Sequence, residues 1–255
     1  MNTCPQVRIE TAPGLLAITL ARPEKKNALT TQMYQALVHA LEQASADPSI
    51  HAVLLDADGA DFCAGNDIAD FIAQARPGQS LESADVFRFV RTLAAFDKPL
   101  VAAVRGRAVG IGTTMLLHCD LVYVANDARF STPFVDLALV PEAASSLLMP
   151  ARIGHLRAFA LFALGEVIDG ADALAWGLAN KVLPADQVTP GARAAAQVLA
   201  TKPALALQAT KKLMRDRERM LNVIDSEGRE FAQRLMSAEA QAMFQAFMSR
   251  RAPAG

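Results

Sequence analysis

Between Val7 and Leu183, short β-branched apolar runs take turns with amphipathic stretches of helical period. That alternation restricts the chain to an α/β architecture. The first cycle opens with Val7-Arg8-Ile9-Glu10 and the apolar run Leu15 to Leu20 on either side of Pro13-Gly14, the pattern of a hairpin. A charged loop, Arg22-Pro23-Glu24-Lys25-Lys26-Asn27, follows. Thr30 suits the N-cap of a helix with Met33, Leu37, Leu41 and Ala44 on its apolar face, and Asp47-Pro48 ends it. Ala52 to Leu55 reads as a buried strand. The cycle recurs through the turn Phe62 to Asp67 and a helix face of Phe87, Val90, Leu93 and Ala94. A core strand, Pro99 to Val104, comes next. Breaks at Gly106, Gly110 and Gly112 precede another strand, Leu121 to Ala125. The last third differs. Lys202 to Met248 reads as nearly continuous helix, broken around Gly228 and Ser237. Leu221, Ile224, Phe231 and Leu235 share one face, and Met243, Phe244, Phe247 and Met248 another. The chain therefore divides into a core over 1–195 and a helical region over 196–255, whose apolar faces must pack on the body or on another subunit.

Composition narrows the partners. With 52% apolar and 20% charged residues, the 255-residue chain is not disordered and can bury one large core. A net charge of −1 supplies no bulk positive field for nucleic acid or an acidic membrane surface. The basic run Lys202, Lys211, Lys212, Arg215, Arg217 and Arg219 suggests an RNA-associated role at most, and Asp216 and Glu218 dilute it into a solvated helix face. Apolar stretches such as Pro99 to Val104 are too short to span a bilayer. Cys4, Cys63 and Cys119 form no CxxC and fit a reducing compartment. The first residues lack signal-peptide features, and the last lack a peroxisomal tripeptide. The expectation is a cytoplasmic protein with no membrane or nucleic-acid partner.

Several chemistries have no motif. There is no GxxxxGK[ST] loop, no third glycine at dinucleotide-binding spacing after Gly110 and Gly112, no GxSxG, and no HExxH. His39, His51, His118 and His155 lie far apart, so no metal site is expected. His118, beside Cys119 and Asp120, reads as a partly buried histidine at a helix-to-strand junction. Two glycine-bearing turns after strands stand out: Phe62-Cys63-Ala64-Gly65-Asn66-Asp67 and Arg107-Ala108-Val109-Gly110-Ile111-Gly112. Each is an ordinary strand-to-helix turn or, jointly, a source of two N–H donors for one oxygen. In Leu139-Val140-Pro141-Glu142-Ala143-Ala144-Ser145-Ser146, Pro141 suits a first helical turn and Glu142 a capping acid. Its apolar neighbours would instead desolvate Glu142 toward general-base range, while a helix N-terminus would pull the other way.

Together these segments resemble the crotonase (enoyl-CoA hydratase/isomerase) superfamily. The resemblance rests on Phe62 to Ile68, Ala108 to Gly112, His118-Cys119-Asp120-Leu121 and Phe130 to Ser146. Arg22 to Leu29 and Trp176 to Val182 extend it to about residues 7–250. It implies a spiral of ββα units followed by a C-terminal helical trimerisation region, giving trimers often paired into hexamers. It also implies an acyl-CoA substrate and no further cofactor. The thioester oxygen would lie between the N–H groups of Ala64 and Ile111, with Gly110 in the second turn. Gly65, Asn66, Asp67 and Ile68 would line the adenine and pantetheine path, and Lys25 and Lys26 would lie near the phosphates. Where hydratases of the family carry two glutamates, this chain has Thr114 and Phe134. Neither is a carboxylate, and Phe134 has no hydrogen-bonding group. Glu142 stands where the Δ3,Δ2-enoyl-CoA isomerase branch has its sole catalytic glutamate, in a similar Pro-Glu-x-x-Ser-Ser context. Asn66 also resembles that branch. The resemblance implies a one-base isomerase. On that mechanism water must be excluded, with Phe134, Leu137 and Leu139 as wall residues, and Asp136, which nothing aims inward, is taken as surface or structural. Enoyl-CoA hydratase, other acyl-CoA chemistry and a non-catalytic acyl-CoA- or RNA-binding homologue are the alternatives.

Overall fold

The computed structural model describes residues 4–70 and 84–251, with side chains through residue 246. Strands β1 (Val7–Ala12) and β2 (Gly14–Leu20) form the expected antiparallel hairpin. Thr30 caps α1 (Thr31–Ala46) by accepting the Met33 N–H at 3.3 Å. Next come β3 (Ile50–Ala57), α2 (Asp85–Ala95), β4 (Leu100–Val104), β5 (Arg107–Val109), α3 (Ile111–Thr114), β6 (Leu121–Ala125) and β7 (Arg129–Ser131). Then follow α4 (Ser145–Ile153), α5 (His155–Ala163), β8 (Ile168–Asp169), α6 (Gly170–Trp176), β9 (Lys181–Leu183) and α7 (Ala185–Ala200). The last three elements are α8 (Ala204–Met214), α9 (Arg217–Leu235) and α10 (Ala238–Arg251).

One sheet runs β1-β2-β3-β4-β6-β9, parallel from β2 onward, and a second runs β5-β7-β8. Successive strands alternate between the two sheets: β4 then β5, β6 then β7. Each pair is followed by helix, which gives the chain its ββα spiral. Strand β4 is apolar at every position because α7 packs along β2, β3, β4 and β6 and the strand is buried on both faces.

The C-terminal helices depart from the sequence reading in several places. Helix α7 runs through 195/196, so the core's last helix ends at Ala200. Gly228 lies inside α9 and breaks nothing; a Cβ there would lie 2.8 Å from a Phe87 ring carbon, so the glycine permits close packing on α2. Ile224, Phe231 and Leu235 are buried and Leu221 is half-buried, as their shared face predicts. Phe244 is buried while Met243 is exposed; the side chains of Phe247 and Met248 lie outside the described residues. Lys211 and Arg215 turn inward, Lys211 onto Asp120 at 2.7 Å and Arg215 onto His118, so the basic run is no single solvated face. Among the described residues no helix is long and apolar enough to cross a membrane.

Candidate active site

The two glycine turns meet through backbone pairing. The Cys63 N–H donates to Arg107 O at 3.0 Å, and the Val109 N–H donates back to Cys63 O at 2.9 Å. Gly112 lets α3 stand directly on that turn, since a Cβ there would lie 2.5 Å from Cys63 O. On its other side the first turn pairs with the charged loop. Ala64 N–H donates to Lys26 O at 2.9 Å, Leu29 N–H to Gly65 O at 2.8 Å, and Asp67 N–H to Leu29 O at 2.8 Å.

This pattern corrects one expected donor. The Ala64 N–H is engaged by Lys26 and is not available to a ligand. Because Gly65 O and Asp67 N both face Leu29, the Asn66 N–H faces the opposite side, toward the second turn. Among the described residues the N–H groups of Asn66 and Ile111 meet no acceptor, and both residues line one pocket. Tyr34, which the sequence did not single out, reaches from α1 and donates its hydroxyl to Asn66 Oδ1 at 2.5 Å.

Glu142 lines the same pocket and is 6% exposed. Its Oε1 accepts the Thr114 hydroxyl at 2.5 Å, while Oε2 has no partner. Thr114, not an acid itself, thus serves the acid. Burial pushes the Glu142 carboxyl up to about 8; the Thr114 bond pulls it down, and the nearby Glu227 charge adds to the rise.

The capping reading of Glu142 is corrected as well. Helix α4 begins at Ser145, so Pro141 lies outside its first turn, and Ala144 is an N-cap without a side-chain acceptor. The free N–H groups of Ala144 and Ser146 go instead to Glu227 of α9, at 2.6 and 2.8 Å. Ala143 and Ala144 both adopt left-handed backbone, at φ +61° and +55°. His118 is fully buried and its Nε2 bonds Ala143 O at 2.8 Å. Burial and the Arg215 charge push its pKa down to about 3, so the ring is neutral and Nε2 carries the proton.

The pocket encloses about 120 Å³. Of the residues expected there, Ala64, Gly65, Asn66, Ile68, Gly110, Ile111, Phe134, Leu137, Leu139 and Glu142 line it. Phe231 and Phe244 from α9 and α10 complete the wall, which the sequence reading did not foresee. Asp67 is not among them. It pairs with Arg22 at 2.8 Å and accepts the Asp70 N–H at 3.2 Å. Burial pushes its carboxyl up, the Arg22 bond and charge pull it down, and the balance lies below its ordinary value. Lys25 and Lys26 are exposed on the loop that holds the Ala64 turn and do not line the pocket. Asp136 is exposed, as expected.

Two glycine turns, unpaired donors and one buried acid are the ingredients of acyl-thioester chemistry, and residues 10–254 match the family described as enoyl-CoA hydratase/isomerase. The chain belongs to that family, within the crotonase superfamily. Enoyl-CoA delta isomerase 2 of Rattus norvegicus is 35% identical over 245 residues, covering 93% of this chain and 62% of the rat protein. The 1,2-epoxyphenylacetyl-CoA isomerase of Escherichia coli K12 is 33% identical over 250 residues, covering 94% of each. Among solved structures, Pseudomonas aeruginosa OdaA superposes with a TM-score of 0.92 at 44% identity, covering 96% of this chain and 99% of OdaA.

Proposed function

We propose that this family member is an acyl-CoA isomerase that moves a 3-enoyl double bond to the 2-position with Glu142 as its one proton carrier. The observation that carries the reading is the lone acid. Glu142 is the single carboxylate among the pocket-lining residues, with Oε1 anchored by Thr114 and Oε2 free. Removing the C2 proton of a 3-enoyl thioester puts negative charge on the thioester oxygen. The N–H groups of Asn66 and Ile111 are the donors for that oxygen, and losing one such donor costs about 3–4 kcal/mol of transition-state stabilisation. The resulting dienolate is delocalised, so Glu142 returns the same proton at C4. A carboxyl held up to about 8 suits both duties, because the proton it takes must also leave. Phe134, Leu137 and Leu139 keep water from the dienolate. Hydration requires a positioned water and a further acid, and neither Thr114 nor Phe134 supplies one. Lys25 and Lys26, exposed beside the Ala64 turn, are assigned to the phosphates of the CoA moiety.

The test is conversion of 3-enoyl-CoA followed by the absorbance of the conjugated product, with 2-enoyl-CoA hydration as the competing assay. Loss of isomerisation in Glu142→Gln with acyl-CoA binding retained is the expected result. Near-full activity in that variant, or faster hydration than isomerisation in the wild type, defeats the reading. A ring-bearing acyl group is the second reading. Phe134, Phe231 and Phe244 around the pocket favour it, as does the name of the Escherichia coli relative. Including 1,2-epoxyphenylacetyl-CoA in the panel separates the two. The reading also takes the protein as a homotrimer or a pair of trimers. Exposed Leu205, Leu213 and Met214 on α8, with Leu156 and Phe159 on α5, offer the apolar surface, and light scattering checks the mass.

A further inference from the structure

We infer that Glu227 is a positioning residue for this reaction: its carboxylate, reaching from α9, clamps the turn that carries Glu142 and so aims the proton carrier into the pocket. The inference rests on the isomerase reading and adds a residue to it.

The turn cannot hold itself. Ala143 and Ala144 are consecutive left-handed residues without glycine, a conformation that persists only where its surroundings enforce it. Helix α4 contributes no side-chain cap of its own. The enforcement comes from two distant elements. Glu227 accepts Ala144 N–H through Oε2 and Ser146 N–H through Oε1, so both carboxylate oxygens are used, one on each side of Ser145. From the turn after α3, His118 Nε2–H donates to Ala143 O, and Arg215 Nη2 holds the opposite ring nitrogen at 3.1 Å. The carbonyl strap and the amide clamp grip adjacent residues, immediately after Glu142. An amide side chain at 227 has a single acceptor oxygen in place of two and turns its NH2 donors toward one of the two N–H groups.

Glu227 also acts through its charge. The titratable groups around Glu142 are Tyr34 from α1, His118 and Glu227, and of these only Glu227 is a carboxylic acid and acts on Glu142 through its charge. Its loss removes a negative neighbour as well as a clamp, and those two effects have different signatures.

Glu227→Gln should lower kcat about 100-fold, the scale of a misplacement of about 1 Å, with KM within about twofold. The limb of the kcat/KM profile that reports Glu142 should move to lower pH, because the repelling charge is gone. Combined with Glu142→Gln, the substitution should cause no further loss, since Glu227 acts only through Glu142. Carboxyl-stretch infrared titration, with the Glu142 band assigned by difference against Glu142→Gln, reads the same ionisation without substrate. If wild type fails to isomerise 3-enoyl-CoA, the functional reading falls and the clamp is decided by Glu227→Asp, which keeps the charge: a protonated Glu142 C=O band displaced from its wild-type frequency supports the clamp, and an unchanged band overturns it. A helix cap with only a structural role would lower the melting temperature but leave kcat of the folded enzyme unchanged, and that result overturns the inference. If Glu227→Gln does not fold, Glu227→Asp keeps the charge and shortens the reach. It should lose kcat about 10-fold with the pH limb in place, and wild-type kcat in folded Glu227→Asp overturns the inference equally.

Discussion

In the half of the pocket that carries Asn66 and Ile111, the positioning contacts are mostly main chain: Cys63 with Arg107 and Val109, Gly65 and Asp67 with Leu29, Ala64 with Lys26. In the half that carries Glu142, they are side chains from elsewhere: Thr114, His118 and Glu227. Main-chain wiring tolerates many side chains as long as the backbones can approach. Side-chain wiring leaves a buried acid whose proton affinity Thr114 and Glu227 both change. The donors are therefore robust to substitution except at glycine, whereas the acid is tuned and vulnerable.

The largest effect tests the acid half. Glu142→Gln should reduce isomerisation by on the order of 1,000- to 10,000-fold in steady-state assays. The same variant should be more stable than wild type at high pH. The folded-state pKa of Glu142 is raised from 4.5 to about 8, so its contribution to stability is full below 4.5 and is lost as pH rises through about 8. Glutamine escapes that loss, and the gain in chemical denaturation should grow between pH 5 and 8 to on the order of a few kcal/mol. A constant difference between the two proteins across that range would contradict a buried, protonated Glu142.

Next comes the one side-chain change that should break the main-chain half. Gly112→Ala places a Cβ against the Cys63 carbonyl, so the two turns must separate. A loss of about 100-fold in kcat is expected, with about 1–3 kcal/mol of stability lost in urea melts. Unimpaired turnover would mean that the contact does not set the spacing of the donors.

Thr114→Val sharpens the contrast. It deletes the bond that pulls the Glu142 carboxyl down, so the activity limb, expected in wild type near pH 8, should move higher. At pH 7 this amounts to about a 10-fold loss in kcat/KM, from one hydrogen bond to a charged group. The smallest effect belongs to Tyr34→Phe. Its hydroxyl holds the Asn66 side chain while the Asn66 N–H is placed by backbone, so kcat should fall only a few-fold, with about 1 kcal/mol of stability lost. A loss as large as that of Gly112→Ala would show that side chains govern the donor half too.

Features carried by near neighbours were legible in the chain: the hairpin around Pro13-Gly14, the Thr30 cap, the two glycine turns and the apolar setting of Glu142. Features that depend on which distant group takes a given hydrogen bond were not. Ala64 reads as a free donor until Lys26 is seen to accept from it. Gly228 reads as a helix break until Phe87 is placed against it. Lys211 and Arg215 read as solvent-facing until Asp120 and His118 are opposite them. Glu227 carries no local mark at all, since its partner Ala144 lies 83 positions away.

By itself the sequence determined the alternation of strand and helix, the residues with left-handed freedom in the turns, and the presence of one acid where Thr114 and Phe134 supply none. The tertiary structure decided which N–H groups stay unpaired and how tightly Glu142 holds its proton. Donor direction and desolvation depend on what is packed alongside, and hydrophobic pattern does not encode the pairing partner of each polar atom.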